Sequence, residues 1–423
     1  MQMGEDASPA SSMHVDLNPN PQLKKLSSGS LRGLDWFTFF IADIQTSFGP
    51  LLAVYLTAEK WTLTDIGFVL TVGSLVSLAG QMPGGAIVDA TRSVRRATAS
   101  AIIGIGVSAL LVALWPVFII VLGARVLHAA SSCVLGPAIA AISLGLVGHA
   151  EVGERLGRNA RFSSIGNGLS AAVMGAFGYL LSSAAVFFIS AALTIPALIA
   201  LFRIRADEID PVTAHGGTPE PQQAPLRKGL FLLFHNRALL VFCGCVSLFH
   251  LANSTMLPLV ASTVTMQMPA HATLVIAASI VVPQLVVAAC SPEIGRQAQA
   301  LGRKKILIIG LLALPLRGFL LAFVSNPYLL IAIQVLDGVS AAVLGVLIPL
   351  ISADVTRGTG RFNLAQGVIG TAAGLGASLS GVLTGYAADH FGSAATLLIL
   401  AAAGAMGVVL VWARMPETRD FAK

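Results

Sequence analysis

Long apolar stretches separated by short polar segments occupy almost the whole of this chain. A helix needs about 20 mostly apolar residues to cross the hydrocarbon core of a bilayer. Twelve stretches meet that requirement, at residues 34–57, 63–88, 97–115, 117–147, 160–182, 184–202, 238–264, 272–291, 304–324, 328–353, 363–387 and 393–413. The pattern predicts an all-α integral membrane protein with twelve transmembrane helices.

The chain repeats itself about half its length apart. Residues 125–143 match residues 334–352 at a constant offset of 209, with nine identical positions, and residues 45–53 correspond to 253–261 at an offset of 208. Internal repeats of this kind are typical of membrane transporters built from duplicated halves. The sequence therefore predicts two pseudo-symmetric six-helix bundles.

Polar segments set the predicted domain boundaries. Residues 204–228 form the longest polar interruption between spans and are predicted to be a cytoplasmic linker between bundles at 31–203 and 229–414. Residues 1–30 are rich in Ser, Pro, Asn and Gln, which predicts a disordered cytoplasmic tail, and residues 415–423 form a second tail.

Composition and charge agree with a membrane protein. The chain is 55% hydrophobic and only 11% charged, and its mean hydropathy is +0.82. Of its 26 Lys and Arg residues, all but Lys60, Arg125 and Arg317 fall on one side of the predicted spans. By the positive-inside rule that side and both termini are cytoplasmic, and a bacterial inner membrane is the predicted location. The net charge of +6 is thus a signal of topology and does not indicate nucleic-acid binding.

Several other functions lack support in the sequence. All four cysteines lie within predicted spans, which argues against a disulfide framework or a metal site, and we expect no cofactor. No phosphate-binding Gly-Lys-Ser/Thr motif is present, which argues against an ATP-driven pump and against an enzyme.

The loop after the second span carries a recognisable motif. Gly85 and Asp89 are spaced as Gly-x-x-x-Asp and are followed by Arg92, Arg95 and Arg96. An acid near basic residues and a helix terminus can form a contact that holds only while the cytoplasmic end is closed. We therefore predict a cytoplasmic gate at these five residues, with the alternative that the arginines serve only as topology anchors.

Together, the twelve spans, the central linker and this loop resemble the major facilitator superfamily over residues 31–414. The corresponding loop of the second half, GRQAQALGRKK, has Gln299 in place of the acid. The resemblance implies that the first, fourth, seventh and tenth spans line a central cavity. The polar and aromatic residues that it brings to this cavity are Asp43, Gln45, Arg125, His128, Phe249, His250, Asn253, Gln334 and Asp337.

Ionisable groups deep in the membrane indicate where protons could be coupled to transport. A charge at mid-depth costs several kcal/mol and is rarely present without a function. Asp43 and Arg125 both lie near the midplane, and with His250 they are the predicted proton-coupling residues. The alternatives are a static Asp43–Arg125 salt bridge and a histidine satisfied in the core. Arg317 and Asp337 are predicted to form a structural ion pair.

The predicted function is secondary active transport of a small organic solute by alternating access. Gly166 and Gly175 match part of a fifth-span signature of proton antiporters in the superfamily, which favours proton-coupled export. A proton-coupled symporter for a small organic anion and a non-transporting receptor of the same fold are the alternatives. The predicted partners are protons, lipid and an organic anion, a zwitterion or an amphiphilic compound, and the protein is expected to be a monomer.

Overall fold

The computed structural model describes residues 26–46, 50–180, 182, 184–217, 226–267 and 269–419, and all the regular secondary structure in this part of the chain is helical. Two predicted cavity residues, Asp43 and Gln45, belong by their backbone to the first helix, but their side chains lie outside the described part of the chain. The predicted contact of Asp43 with Arg125 therefore stays a prediction.

Fourteen α-helices and one short 3₁₀-helix, at Ala206–Glu208, make up the described chain. The α-helices are α1 (Ser28–Thr46), α2 (Pro50–Ala58), α3 (Leu63–Ala90), α4 (Val94–Leu114), α5 (Phe118–Leu180), α6 (Ala185–Arg203), α7 (Pro211–Ala214), α8 (Leu226–His235), α9 (Arg237–Asn253), α10 (Met256–Gln267), α11 (Pro269–Leu301), α12 (Arg303–Phe323), α13 (Pro327–Val355) and α14 (Phe362–Arg414).

Nine helical stretches of the described residues are long and apolar enough to cross a membrane. Two of the helices, α5 and α14, are each more than twice the length that a bilayer requires. Each bends at a glycine with positive φ, +70° at Gly148 and +78° at Gly392, a conformation that a side chain would strain. Each is therefore two helical segments, an arrangement consistent with twelve spans.

The loops divide between the two ends of the helix bundle. Residues 91–93, 204–217 and 356–361 meet at one end, where His215 Nε2 contacts the Thr91 carbonyl oxygen and Gly358 N donates to the Gly216 carbonyl oxygen. This end, which carries most of the Arg and Lys residues, is called the basic end below. Residues 59–62, 115–117 and 324–326 connect helices at the opposite end.

Two ion-pair networks, each with a buried carboxylate, stabilise the halves internally at the basic end. In the first half, Asp35 of α1 pairs with Arg155 at 2.5 Å and with Arg158 at 2.6 Å, both from α5. In the second half, Arg303 of α12 pairs with Asp354 of α13 at 2.8 Å. Each of these ion pairs joins two side chains of the same half, so the networks hold each bundle together and do not connect one bundle to the other.

Contacts between the halves concentrate in two helix pairs, α3 with α14 and α5 with α11. The first half has a core of its own around Leu34 and Ile102, whereas the cluster around Phe242 and Leu347 of the second half also includes Leu144 of α5. Exposed apolar side chains cover the outside of the bundle, as expected where helices face lipid.

Candidate substrate cavity and gate

A cavity of about 670 Å³ lies between the two halves. Its wall contains positions that the internal repeat relates at the offset of 209: Ser132 with Ala341, Gly136 with Gly345, and Ile139 with Ile348. The first member of each pair belongs to α5 and the second to α13. Because equivalent positions of both halves face the same space, the cavity lies on the pseudo-twofold axis of the repeat, where transporters of this construction bind their solutes.

The polar groups that the structure describes in the wall of this cavity are uncharged. Amides and hydroxyls are contributed by α1, α3, α5, α11 and α14, and none of the described residues that line the cavity is Asp, Glu, Lys, Arg or His. The polar lining residues are Thr38, Gln81, Ser132, Asn159, Ser163, Ser164, Asn167, Gln284 and Gln366. The volume and the mixture of apolar wall with a few polar groups are those of a small-molecule site.

At the basic end, Asp89 joins α3 to the first turn of α14. Its Oδ1 accepts hydrogen bonds from Asn363 N at 3.1 Å and Asn363 Nδ2 at 2.8 Å, and its Oδ2 accepts one from Leu364 N at 2.8 Å. The first-turn N–H groups of a helix have no partner inside the helix, and the helix dipole favours a negative charge there. A single carboxylate thus binds the end of a helix from the other half.

Backbone packing surrounds this contact. A Cβ atom on Gly85 would overlap the Asn363 carbonyl oxygen, and a Cβ atom on Gly367 would overlap the Gln81 carbonyl oxygen. The α3–α14 interface is therefore a backbone-to-backbone contact that only glycine permits at these two positions. The predicted gate residues Gly85 and Asp89 both lie in it.

The α5–α11 interface closes the other side of the basic end in the same way. A Cβ atom on Gly157 would overlap the Ser291 carbonyl oxygen, and one on Gly295 would overlap the Gly153 carbonyl oxygen. Nearer the cavity, Arg161 Nε donates to the Ala288 carbonyl oxygen at 2.8 Å and Ser164 Oγ donates to Gln284 Oε1 at 2.6 Å. The cavity is thus sealed toward the basic end by two interfaces between the halves.

The segment that follows α6 contacts both halves next to the Asp89 contact. His215 Nε2 lies 3.1 Å from the Val88 carbonyl oxygen, and Asn363 Nδ2 donates to the Ala214 carbonyl oxygen at 3.3 Å. Gly216 accepts from Gly358 N at 2.6 Å. The segment that follows α6 is consequently part of the closed end.

The three predicted gate arginines have different environments. Arg95 Nη1 donates to the Ile204 carbonyl oxygen at 2.7 Å, and its guanidinium lies 5.6 Å from the centre of the Phe202 ring. Arg92 and Arg96 are exposed. All three lie at the start of α4 or in the loop before it, and the hydrogen bonds that Asp89 accepts come from α14.

The predicted cavity residues Arg125 and His128 lie together, outside the lining of the cavity. Arg125 Nη1 is 3.3 Å from His128 Nδ1, and the Arg125 side chain packs against Gly73 of α3, where a Cβ atom would overlap Arg125 Nε. His250 packs against Phe249 with ring centres 5.4 Å apart, and this pair also lies outside the lining.

The remaining predicted cavity residues form one buried network in the second half. Arg317 of α12, whose side chain is 1% exposed, donates to Asp337 Oδ1 at 2.7 Å and to Gln334 Oε1 at 2.8 Å. It also donates to Asn253 Oδ1 at 2.5 Å. This network connects α9, α12 and α13.

Sequence reasoning missed the amides of the cavity and the buried pair of Asp35 with Arg155. Ionisable residues at mid-depth were the signal for a site, whereas Gln284 and Gln366 are neutral and Asp35 lies near a span end. Asn and Gln inside apolar stretches, and an acid opposite arginines one turn apart, are the signals that would have found these residues.

The chain matches a family model described as Major Facilitator Superfamily over residues 34–291 and 269–423. It is 37% identical over 399 residues to uncharacterized MFS-type transporters of Mycobacterium tuberculosis strains CDC 1551 / Oshkosh and H37Rv, covering 92% of this chain and 94% of each relative.

Solved structures share the fold at low sequence identity. A major facilitator superfamily transporter, FucP, in the outward conformation has a TM-score of 0.74 at 13% identity and covers 91% of this chain and 98% of its own. The proton:xylose symporter XylE has a TM-score of 0.69 at 15% identity, and the match covers 92% of this chain and 95% of XylE. The human organic anion transporter MFSD10 has a TM-score of 0.67 at 14% identity, and the match covers 93% of this chain and 100% of MFSD10.

These matches extend over nearly the whole chain and agree with the repeat, the apolar helices and the cavity on the pseudo-twofold axis. The all-helical membrane fold expected from the sequence is confirmed. This chain belongs to the major facilitator superfamily of secondary transporters.

Proposed function

We propose that this protein moves a small organic solute by alternating access, with the basic end on the cytoplasmic side of a bacterial inner membrane. The observation that carries the proposal is a cavity on the repeat axis, sealed at one end by two interfaces between the halves. Rocking of the halves would separate these interfaces and expose the cavity to the cytoplasm.

The nature of the contacts supports repeated opening. The buried ion pairs lie within the halves, where removing one partner of such a pair costs about 3–5 kcal/mol. The contact between halves at Asp89 consists of three hydrogen bonds next to the aqueous end of the bundle. In this arrangement each half moves as a unit, and the contact between the halves is the one that breaks.

Proton coupling is proposed at Asp43, Arg125 and His250, with Asp43 as the carboxylate that exchanges the proton. Arg125 lies half-buried beside His128, so an ionised acid or an anion that reaches it would be stabilised. Export is the proposed direction, and the protein is proposed to act as a monomer.

The test is solute flux in vesicles that contain the purified protein. We expect a pH gradient to drive flux in the wild type, and Asp43→Asn to abolish this drive while solute exchange without a gradient continues. Gradient-driven flux at the wild-type rate in Asp43→Asn would reject the coupling site. Binding of a ligand that is never transported would instead support the receptor alternative.

A further inference from the structure

The described wall of the central cavity provides hydrogen-bonding groups without a counter-charge. Its polar groups are side-chain amides and hydroxyls, which belong to both halves. Moving an ionised group from water into such a site would cost several kcal/mol, since no opposite charge in the described wall would offset the loss of hydration. An uncharged hydroxyl can both donate to and accept from amide side chains, so the wall suits it without that cost.

The guanidinium group in contact with Asn159 of the cavity wall is already paired with a carboxylate. Asn159 is in the cavity wall, and its Oδ1 accepts from Arg155 Nε at 2.9 Å. The guanidinium of Arg155 in turn pairs with Asp35 at 2.5 Å, and Asn159 Nδ2 donates to Ser143 Oγ at 2.7 Å. Asn159 therefore presents the cavity with an amide whose oxygen and nitrogen both have partners.

Two polar atoms in the wall are buried and have no hydrogen-bond partner within the described part of the chain. They are Gln366 Nε2 of α14 and Ser132 Oγ of α5. A buried polar atom without a partner costs free energy, and in a binding site a ligand can supply the missing bond. Because these atoms come from different halves, a solute that reaches both would contact the two moving units together.

We infer that the cavity binds an uncharged solute with several hydroxyl groups. This inference rests on the proposed function, because it names the solute class of the same cavity. The solute accepts a hydrogen bond from Gln366 Nε2 and exchanges one with Ser132 Oγ. Arg125 and Arg317 lie outside the cavity lining, so neither supplies a positive charge to its wall.

A matched set of probes isolates charge from shape. D-glucose and D-glucosamine form the same ring and differ in charge, D-gluconate is the charged counterpart of the open-chain polyol mannitol, and myo-inositol adds a further uncharged polyol. Binding to the full chain in lipid nanodiscs is measured by thermal shift and by calorimetry. We expect the affinity of an uncharged member to be at least about ten times that of its charged analogues.

Variants of the cavity wall locate the site. Gln366→Leu and Ser132→Ala should each weaken binding of the uncharged solute about three- to tenfold, since each removes one hydrogen bond. Gln297→Leu is the matched control, because Gln297 is an amide that pairs with Glu293 away from the cavity, and it should leave binding unchanged. Gln366→Glu should shift preference toward glucosamine.

Each outcome decides for or against the inference. Preference for gluconate or glucosamine in the wild type, binding by no member of the panel, or equal loss of binding in Gln297→Leu and Gln366→Leu overturns it. Transport of a charged solute would refute this solute class while leaving alternating access intact. Binding of an uncharged polyol without transport would support this solute class and contradict alternating access.

Discussion

The two interfaces that close the basic end use the same packing but different polar contacts. Gly85 and Gly367 bring α3 and α14 into backbone contact, as Gly157 and Gly295 do for α5 and α11. The α3–α14 interface ends in the Asp89 carboxylate on the first turn of α14. In the α5–α11 interface the corresponding loop position is Gln299, whose side chain lies beside Gly153.

This difference separates the features of the repeat that serve the scaffold from those that serve the proposed gate. Glycine contacts recur on both sides because both helix pairs must approach closely. A carboxylate is present only at the interface where α14 begins, at Phe362. The first turn of that helix offers N–H groups that have no partner inside the helix. Opposite Gln299, Gly153 lies five residues after the bend at Gly148, beyond the first turn of the second segment of α5. We therefore interpret the α3–α14 interface as the one whose polar contact controls opening.

The largest expected effect comes from filling the glycine contacts. Gly85→Leu and Gly157→Leu would place side-chain atoms where backbone oxygens of the other half lie, at a cost of about 3 kcal/mol or more to the closed state. Both variants should hold the basic end open, as measured by alkylation of cysteines introduced into the cavity wall from that side.

Gly381→Leu is the control for this pair, because a Cβ atom on Gly381 of α14 would meet no other atom within 4 Å. It should leave the labelling pattern as in the wild type. If Gly381→Leu opened the basic end as strongly as Gly85→Leu, helix distortion and not contact between the halves would explain the result.

A smaller effect is expected at mid-depth in the α5–α11 interface. Ser164→Ala removes the hydrogen bond to Gln284 and should weaken closure by about 0.5–1.5 kcal/mol, equal to a roughly two- to tenfold change in the population of the open state. Measurement of that population by single-molecule fluorescence would check the value. A loss of closure as complete as in Gly85→Leu would show that this hydrogen bond, and not backbone packing, holds the interface together.

The smallest effect is expected from Gln299→Asp, which gives the second interface the acid that it lacks. Since Gly153 lies beyond the first turn of the second segment of α5, its N–H group is not one of the unbonded first-turn groups, and the new carboxylate should not stabilise the closed state. The open population should stay within about twofold of the wild type in the same assay. A strong shift toward closure would contradict the assignment of Asp89 as a helix-end contact.

The sequence predicted the fold well because the requirements for crossing a membrane are local. Apolar length, basic loops and the repeat can each be read from a short segment, and Asp89 could be identified from its own motif. Its partners Asn363 and Leu364 could not, because they depend on how the two halves meet.

The central cavity was harder to predict for a related reason. Ser132 lies two helical turns, about 10 Å, beyond Arg125 along α5, and only the charged residue stands out in the sequence. Gln284 and Gln366 face the cavity only because of how α11 and α14 are rotated about their axes. Packing between helices determines that rotation.

The most direct measurement is the distance between spin labels at the basic end in wild type and in Asp89→Asn. Labels at Ala90→Cys and Arg357→Cys report on the α3–α14 interface, and labels at Glu59→Cys and Tyr328→Cys report on the opposite end. Because a hydrogen bond to a charged group contributes about 1.5–3 kcal/mol, Asp89→Asn should increase the open population at the basic end about tenfold or more. The labels at the opposite end should move closer together at the same time. Unchanged distance distributions at both ends would contradict the gate.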